Sequence, residues 1–182
     1  MTMRTVCLAF LISSSFAHSN AQVFITTTGK VQFFSETPLE NISAINSAVS
    51  SLINPMTDSV FVRMKNIGFV FKNALMQEHF NENYMESTKY PLDSFRGKIN
   101  EEFDYTKDGT YTVTATGKFV LHGVEKIETI KGTLIINEKT IHLDAALMVH
   151  TADFNIEIPK LVFTKIAEDI KVNMSADYAL KK

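Results

Sequence analysis

The sequence predicts an all-β fold, an antiparallel β-barrel of about eight strands with one short helix. Three observations lead there. Stretches of ten residues and more alternate apolar and polar side chains with a period of two, as half-buried strands do. Turn residues punctuate them at short intervals, at Lys107-Asp108-Gly109, His122-Gly123 and Asn137-Glu138-Lys139. The Cys and Trp markers of an immunoglobulin-type sandwich are missing, since the single cysteine is Cys7 and there is no Trp. Long strands with one apolar face need a dry interior. Two packed sheets would provide it, but a closed barrel also removes the exposed edges.

Each element follows in order. Val23 to Ser35 is rich in Thr, Val and Phe and reads as a first strand, with Val31 and Phe33 on one side. Thr37-Pro38-Leu39-Glu40 resembles a helix start, and Leu39, Ile42, Ile45, Val49 and Ile53 recur at helical spacing, so the one helix is placed here, ended by Asn54-Pro55. From Ser59 the period is two, through Val60, Val62 and Met64; the parity then slips to Ile67, Phe69 and Phe71, which predicts a bulge near Asn66. Phe95 to Tyr105 and Tyr111 to Leu121 form the clearest hairpin, joined through Gly109. Val124 to Ile136, Thr140 to Thr151 and Ile170 to Leu180 are three further strands, and LVFTKIAED after Pro159 suits a helical turn.

A chain of 182 residues, 45% hydrophobic, suits one globular domain. Residues 1–21 read as a signal peptide: Arg4 forms a short positive region, Val6 to Ile12 an apolar one, and Ser19-Asn20-Ala21 a small-x-small cleavage site. That leaves 22–182 as the folded domain, periplasmic or secreted. The apolar run is well short of the ~18 to 20 residues that a membrane-spanning helix needs, and no transmembrane segment is expected. A formal net charge of −2 lacks the basic surplus that nucleic-acid binding requires. With Cys7 in the leader, no disulfide can form, so stability must come from the core and the backbone ladder.

Motifs for chemistry are sparse. Glu78, His79 and Glu82, and separately His142, Asp144 and His150, lack the paired short spacing of a zinc motif, and no metal or other cofactor is predicted. No Gly-x-Ser-x-Gly elbow, nucleotide-binding glycine loop or mature cysteine is present, and no catalytic residue is assigned. A hydrolase or isomerase built on His79 with Glu82 or Glu78 is the enzymatic rival. The inferred inner face is more informative, because Gly97, Ala115, Gly117, Ala145 and Ala176 interrupt large aromatics there. Either facing Phe and Met side chains fill that volume, leaving a solid structural or interaction module, or it is a bore for a long apolar ligand.

Two segments carry a more specific likeness. LMQEHFNENYM with YPLDSF (Leu75 to Met85, Tyr90 to Phe95), and Leu121-His122-Gly123-Val124, resemble the signatures of the YceI-like lipid-binding family, and the Ile170–Leu180 strand fits its ending. Gln77-Glu78 stands where Arg-Asp is common, and Tyr84-Met85 where two Phe are usual. The resemblance implies a lipocalin-like barrel holding a polyisoprenoid or other long-chain amphiphile, without catalysis. It makes His79 to Pro91 a crossover segment turning Phe80, Tyr84 and Met85 inward, with His79 donating a structural hydrogen bond to a carbonyl. Cavity contacts are then expected from Met64, Phe69, Phe71, Phe80, Tyr84, Met85, Phe95, Phe103, Phe119, Leu147 and Met174. The implied partner is one long apolar chain; a homodimer is compatible with these features.

Overall fold

The computed structural model describes residues 23–138, 140–159 and 166–181. The leader, Lys139 and most of the LVFTKIAED turn lie outside them. Nine strands form one antiparallel sheet: β1 (Phe24–Glu36), β2 (Asn41–Asn54), β3 (Ser59–Lys65), β4 (Val70–Phe71), β5 (Leu92–Ile99), β6 (Gly109–Leu121), β7 (Val124–Asn137), β8 (Thr140–His150) and β9 (Asp169–Leu180). The order β1-β9-β8-β7-β6-β5-β3-β2 closes through a β1–β2 pairing, so eight strands make the barrel and two-residue β4 is a flap on β2. Along β8 and β9, Ile141, Leu143, Val149, Ala176 and Tyr178 are buried while Thr140, Asp144, Asp169 and Asp177 face out. An apolar lumen with a polar exterior is the reverse of a membrane-spanning barrel.

The predicted helix over Thr37 to Ile53 is a strand, β2. Thr37-Pro38-Leu39-Glu40 is the tight turn between β1 and β2: Thr37 Oγ1 donates to Glu40 O (2.9 Å) and the Thr37 N–H donates to the same oxygen (3.1 Å), with proline at the second position that such turns favour. The helical spacing mixes two faces, since Leu39 is exposed in the turn and Ile45 pairs with Gln32 and exposed Val70 on the outer side, and a bulge then shifts the inward set. Gly29 pairs with Val49 but Val31 with Asn46, so β2 gains a residue and its inward set moves from Ala44 and Asn46 to Val49, Ser51 and Ile53. Asn46 holds the bulge by accepting from the Ala48 N–H (3.0 Å) and donating to Lys65 O (2.8 Å).

Among the described residues the one α-helix is instead α1 (Ala74–His79), in the crossover between β4 and β5. Asn73 caps it, its Oδ1 accepting from the Leu75 N–H (2.9 Å). It runs on into a π turn over Phe80–Tyr84, where the Met85 N–H reaches back five residues to Phe80 O (2.8 Å). The slip expected near Asn66 is a 3₁₀ turn, Asn66–Gly68, which separates β3 from β4.

The hairpins differ from expectation at the end of β5. β5 stops at Ile99, and Phe103 and Tyr105 belong to the loop before β6. β6 and β7 are joined by the two-residue turn His122-Gly123, both at positive φ (50° and 74°), the conformation that follows strand twist most closely. β7 and β8 pair only from Lys131/Ala146 to Asn137/Thr140. Where they diverge, the segment after β8 brings Phe154 against Phe119 (ring centroids 5.4 Å) and Asp153 to Lys126 (2.8 Å).

Candidate functional site

The barrel is packed at one end and hollow at the other. At the end bearing the β2–β3 turn, Ile53, Leu134, Ile141 and Tyr178 are fully buried, and the Tyr178 hydroxyl meets Ser51 Oγ (2.7 Å). Burial pushes that phenol up to about 12, so it stays neutral and serves the core. At the opposite end, under α1 and the π turn, lies a cavity of about 430 Å³. A narrower one of about 100 Å³ continues toward the packed end, and the two share Val31, Met64, Phe119 and Val172.

The crossover forms the cover. Phe80 stacks on Phe33 (5.5 Å, 18°) and meets Phe69 (5.5 Å) and Phe71 (5.1 Å) edge-on or tilted, which ties α1 to β1 and β4. Asn81 knits the π turn to the following loop, accepting from Ser87 Oγ (2.7 Å) and donating to Gln77 O (3.0 Å). Leu75 lines the cavity yet is 57% exposed, and with Leu39, Ile67 and Val70 it adds exposed apolar surface at this end.

Of the residues expected inside, Met64, Phe69, Phe71, Phe80, Tyr84, Met85 and Phe119 line the larger cavity. Phe95, Leu147 and Met174 line the smaller, with Met64 and Phe119 reaching both. Phe103 lines neither. With β5 ended at Ile99, it stacks on Tyr111 (4.8 Å, 22°) and touches Tyr105 (4.4 Å) in the connecting loop. The small residues also divide in role. Ala115 and Ala145 border the smaller cavity. Gly97 and Gly117 oppose each other across β5 and β6, and a Cβ on Gly117 would meet the Arg96 and Gly97 backbone. Those glycines permit close strand contact and leave no void; the Phe95 ring lies over Gly97.

The histidine roles are exchanged. His79 is exposed at the cavity rim, and its side chain makes no hydrogen bond among the described residues. The structural histidine is His122, 6% exposed: Nδ1 lies 3.0 Å from Phe154 O, and since a carbonyl only accepts, Nδ1 carries a proton. Nε2 faces Glu86 Oε2 at 3.1 Å. On the outer surface, Asp177 sits 2.6 Å from His142, with Asp144 at 3.3 Å, while His150 pairs with Asp169 (2.8 Å). The Asp177 hydrogen bond raises the His142 pKa, and Asp169 does the same for His150. Among the described residues no three His, Cys, Asp or Glu gather as a metal site.

One polar group in the cavity wall escaped the sequence reading. Asp93, on β5 opposite Met64, is 1% exposed and lines the larger cavity. Its Oδ1 accepts from Asn66 Nδ2 and from the His122 N–H, each at 3.3 Å. Burial pushes the carboxyl up to about 6, against the opposing pull of those donors. Parity was the available signal, because residues 93, 95, 97 and 99 share one face of β5.

A family model described as the YceI-like domain matches residues 12–178. The fold is similar to a polyisoprenoid binding domain from Saccharophagus degradans implicated in plant cell wall breakdown (14% identity, TM-score 0.72, 88% of this chain and 99% of that one). It is similar also to BcnA of Burkholderia cenocepacia (15%, 0.70, 82% and 95%) and to the YCEI protein of Campylobacter jejuni (15%, 0.55, 100% and 91%). No match was found among curated proteins.

Proposed function

The chain belongs to the YceI-like domain family, and from that premise we propose that it is a non-catalytic extracytoplasmic carrier that holds one long-chain amphiphile, polyisoprenoid or fatty, in the barrel. The observation that carries this reading is the hollow half of the barrel. Its wall is mostly hydrocarbon, with Ser35, Glu40, Asn73, His79, Asp93 and Thr151 among the polar exceptions, and its volume of about 430 Å³ lies in the range of about 300–1,000 Å³ usual for small-molecule sites. At ~30 Å³ per heavy atom the two cavities together accept on the order of fifteen to eighteen carbons, about three isoprene units or a common fatty chain.

Apolar burial at ~25 cal/mol per Å² supplies most of the affinity, so selection falls on chain length and shape. Met64, Met85 and Met174 line the path with flexible thioethers that adapt to different hydrocarbon shapes. Leu75, both exposed and cavity-lining, marks where the chain enters beside α1. The leader-like residues 1–21 support export.

Native mass spectrometry and lipid extraction of the protein expressed with its leader test the reading. One bound chain per protein, replaceable by added fatty or isoprenoid chains, is expected. A mass corresponding to the bare protein, with no saturable uptake of any chain, would overturn it.

A further inference from the structure

The cavity is not uniformly oily, and among the described residues its one deeply buried ionisable wall group has an unused face. Both hydrogen bonds to Asp93 end on Oδ1, and among the described residues none reaches Oδ2. The residue is 1% exposed in all, and it lines the larger cavity. The fully buried side-chain atoms without a partner among the described residues are Asn66 Oδ1 and Tyr105 Oη, not Asp93 Oδ2, so Oδ2 keeps a little contact with the cavity space and is placed to accept from a donor there. Asn66, whose Nδ2 also donates to Tyr90 O (2.7 Å), and the His122 backbone fix the carboxyl in place. It is therefore a rigid acceptor.

We infer that Asp93 anchors the head group of the carried chain, and that the head is uncharged and bears an O–H or N–H donor, as in a long-chain alcohol or primary amide. The inference rests on the carrier reading and narrows its ligand class. Two further features favour it. None of the described lining residues is Lys or Arg, while Glu40 adds a second carboxylate to the wall. An ionised carboxylate or phosphate head brought beside Asp93 would meet like charge in a poorly solvated space, where repulsion is strong. An acceptor-only head, such as an ether, would leave Oδ2 unpaired. A hydroxyl satisfies it, and the chain beyond it lies against Phe119 and Met64.

The test uses three probes of one chain length: hexadecanol, hexadecyl methyl ether and palmitate, at a pH of about 8, where palmitate is ionised. Each is titrated against the wild-type protein and against Asp93→Asn, a near-isosteric change that keeps an acceptor oxygen and removes the charge. Hexadecanol should bind the wild type at least about tenfold more tightly than palmitate, and more tightly than the ether. In Asp93→Asn the alcohol-to-palmitate ratio should fall to within about threefold, chiefly through tighter palmitate binding. Equal wild-type affinities for the three probes, or a ratio unchanged in Asp93→Asn, would overturn the anchor while leaving the carrier reading intact. Failure of all three to bind would overturn the anchor, and failure of an isoprenoid chain as well would remove the carrier reading with it.

Discussion

Phe80 stacks on Phe33 with ring centroids 5.5 Å apart and planes 18° from parallel, and this pair joins the helical cover to the wall of the barrel. Stacked and edge-on aromatic pairs add about 0.5–1.5 kcal/mol beyond their buried area. Phe80→Ala removes several such contacts at once but from a half-buried site, so a loss of about 2–3 kcal/mol is expected, at or below the bottom of the range of about 3–5 kcal/mol for buried Phe→Ala. Urea denaturation measures it. Dissociation of a bound chain should quicken in the same variant.

Gly123 has a φ of 74°, and a Cβ there would meet Tyr90 Cε1 at 2.5 Å. Gly123→Ala therefore combines a left-handed alanine, costing about 1–2 kcal/mol, with a displaced ring that packs on His122. A loss of about 2 kcal/mol or more in chemical denaturation is the expected result.

Asp93 sets a pH dependence of unusual sign for a carboxylate. Its folded pKa of about 6 lies above the ordinary 3.8, so between those values the native state binds the extra proton. Its contribution to stability is thus greatest below the ordinary value and falls as pH rises through the folded one. The full swing is on the order of 3 kcal/mol at 1.36 kcal/mol per pH unit. Asp93→Asn should accordingly be the more stable protein near pH 8, with the difference closing near pH 4. Thermal melts of both proteins across that window check it, and a wild type that gains on the variant with rising pH would contradict it.

Ala115 borders the smaller cavity of about 100 Å³. Ala115→Leu adds three carbon-sized groups, about 90 Å³ at ~30 Å³ each, and should shorten the longest tightly bound chain by about three carbons. A chain-length series of fatty alcohols, compared between the two proteins, measures the shift.

The strands were legible wherever one face is dry and the other wet. Thr140 to Thr151 and Ile170 to Leu180 needed no more than alternation, and His122-Gly123 announced its own turn. β2 was misread because a turn residue, Leu39, and an outward one, Ile45, fall in step with Ile42, while the bulge at Asn46 moves the inward set by one residue, so that the apolar positions read as a run of threes and fours. Asn46 holds that shift through long-range and local hydrogen bonds that hydropathy does not reveal. α1 was missed because only six residues are helical and its apolar side faces a flap as well as the cavity. Most cavity-lining side chains followed from parity and the family likeness. The polar wall did not: His79 and His122 look alike in sequence, and only packing against Phe154 and Glu86 distinguishes them.

The most direct test is a crystal structure grown with hexadecanol. Continuous density for one chain, running from Asp93 past Met64 and Phe119 beneath Phe80, is the expected result. A cavity closed by inward collapse of Phe80 and Met85, with the alcohol absent or bound only on the outer surface, would contradict the account.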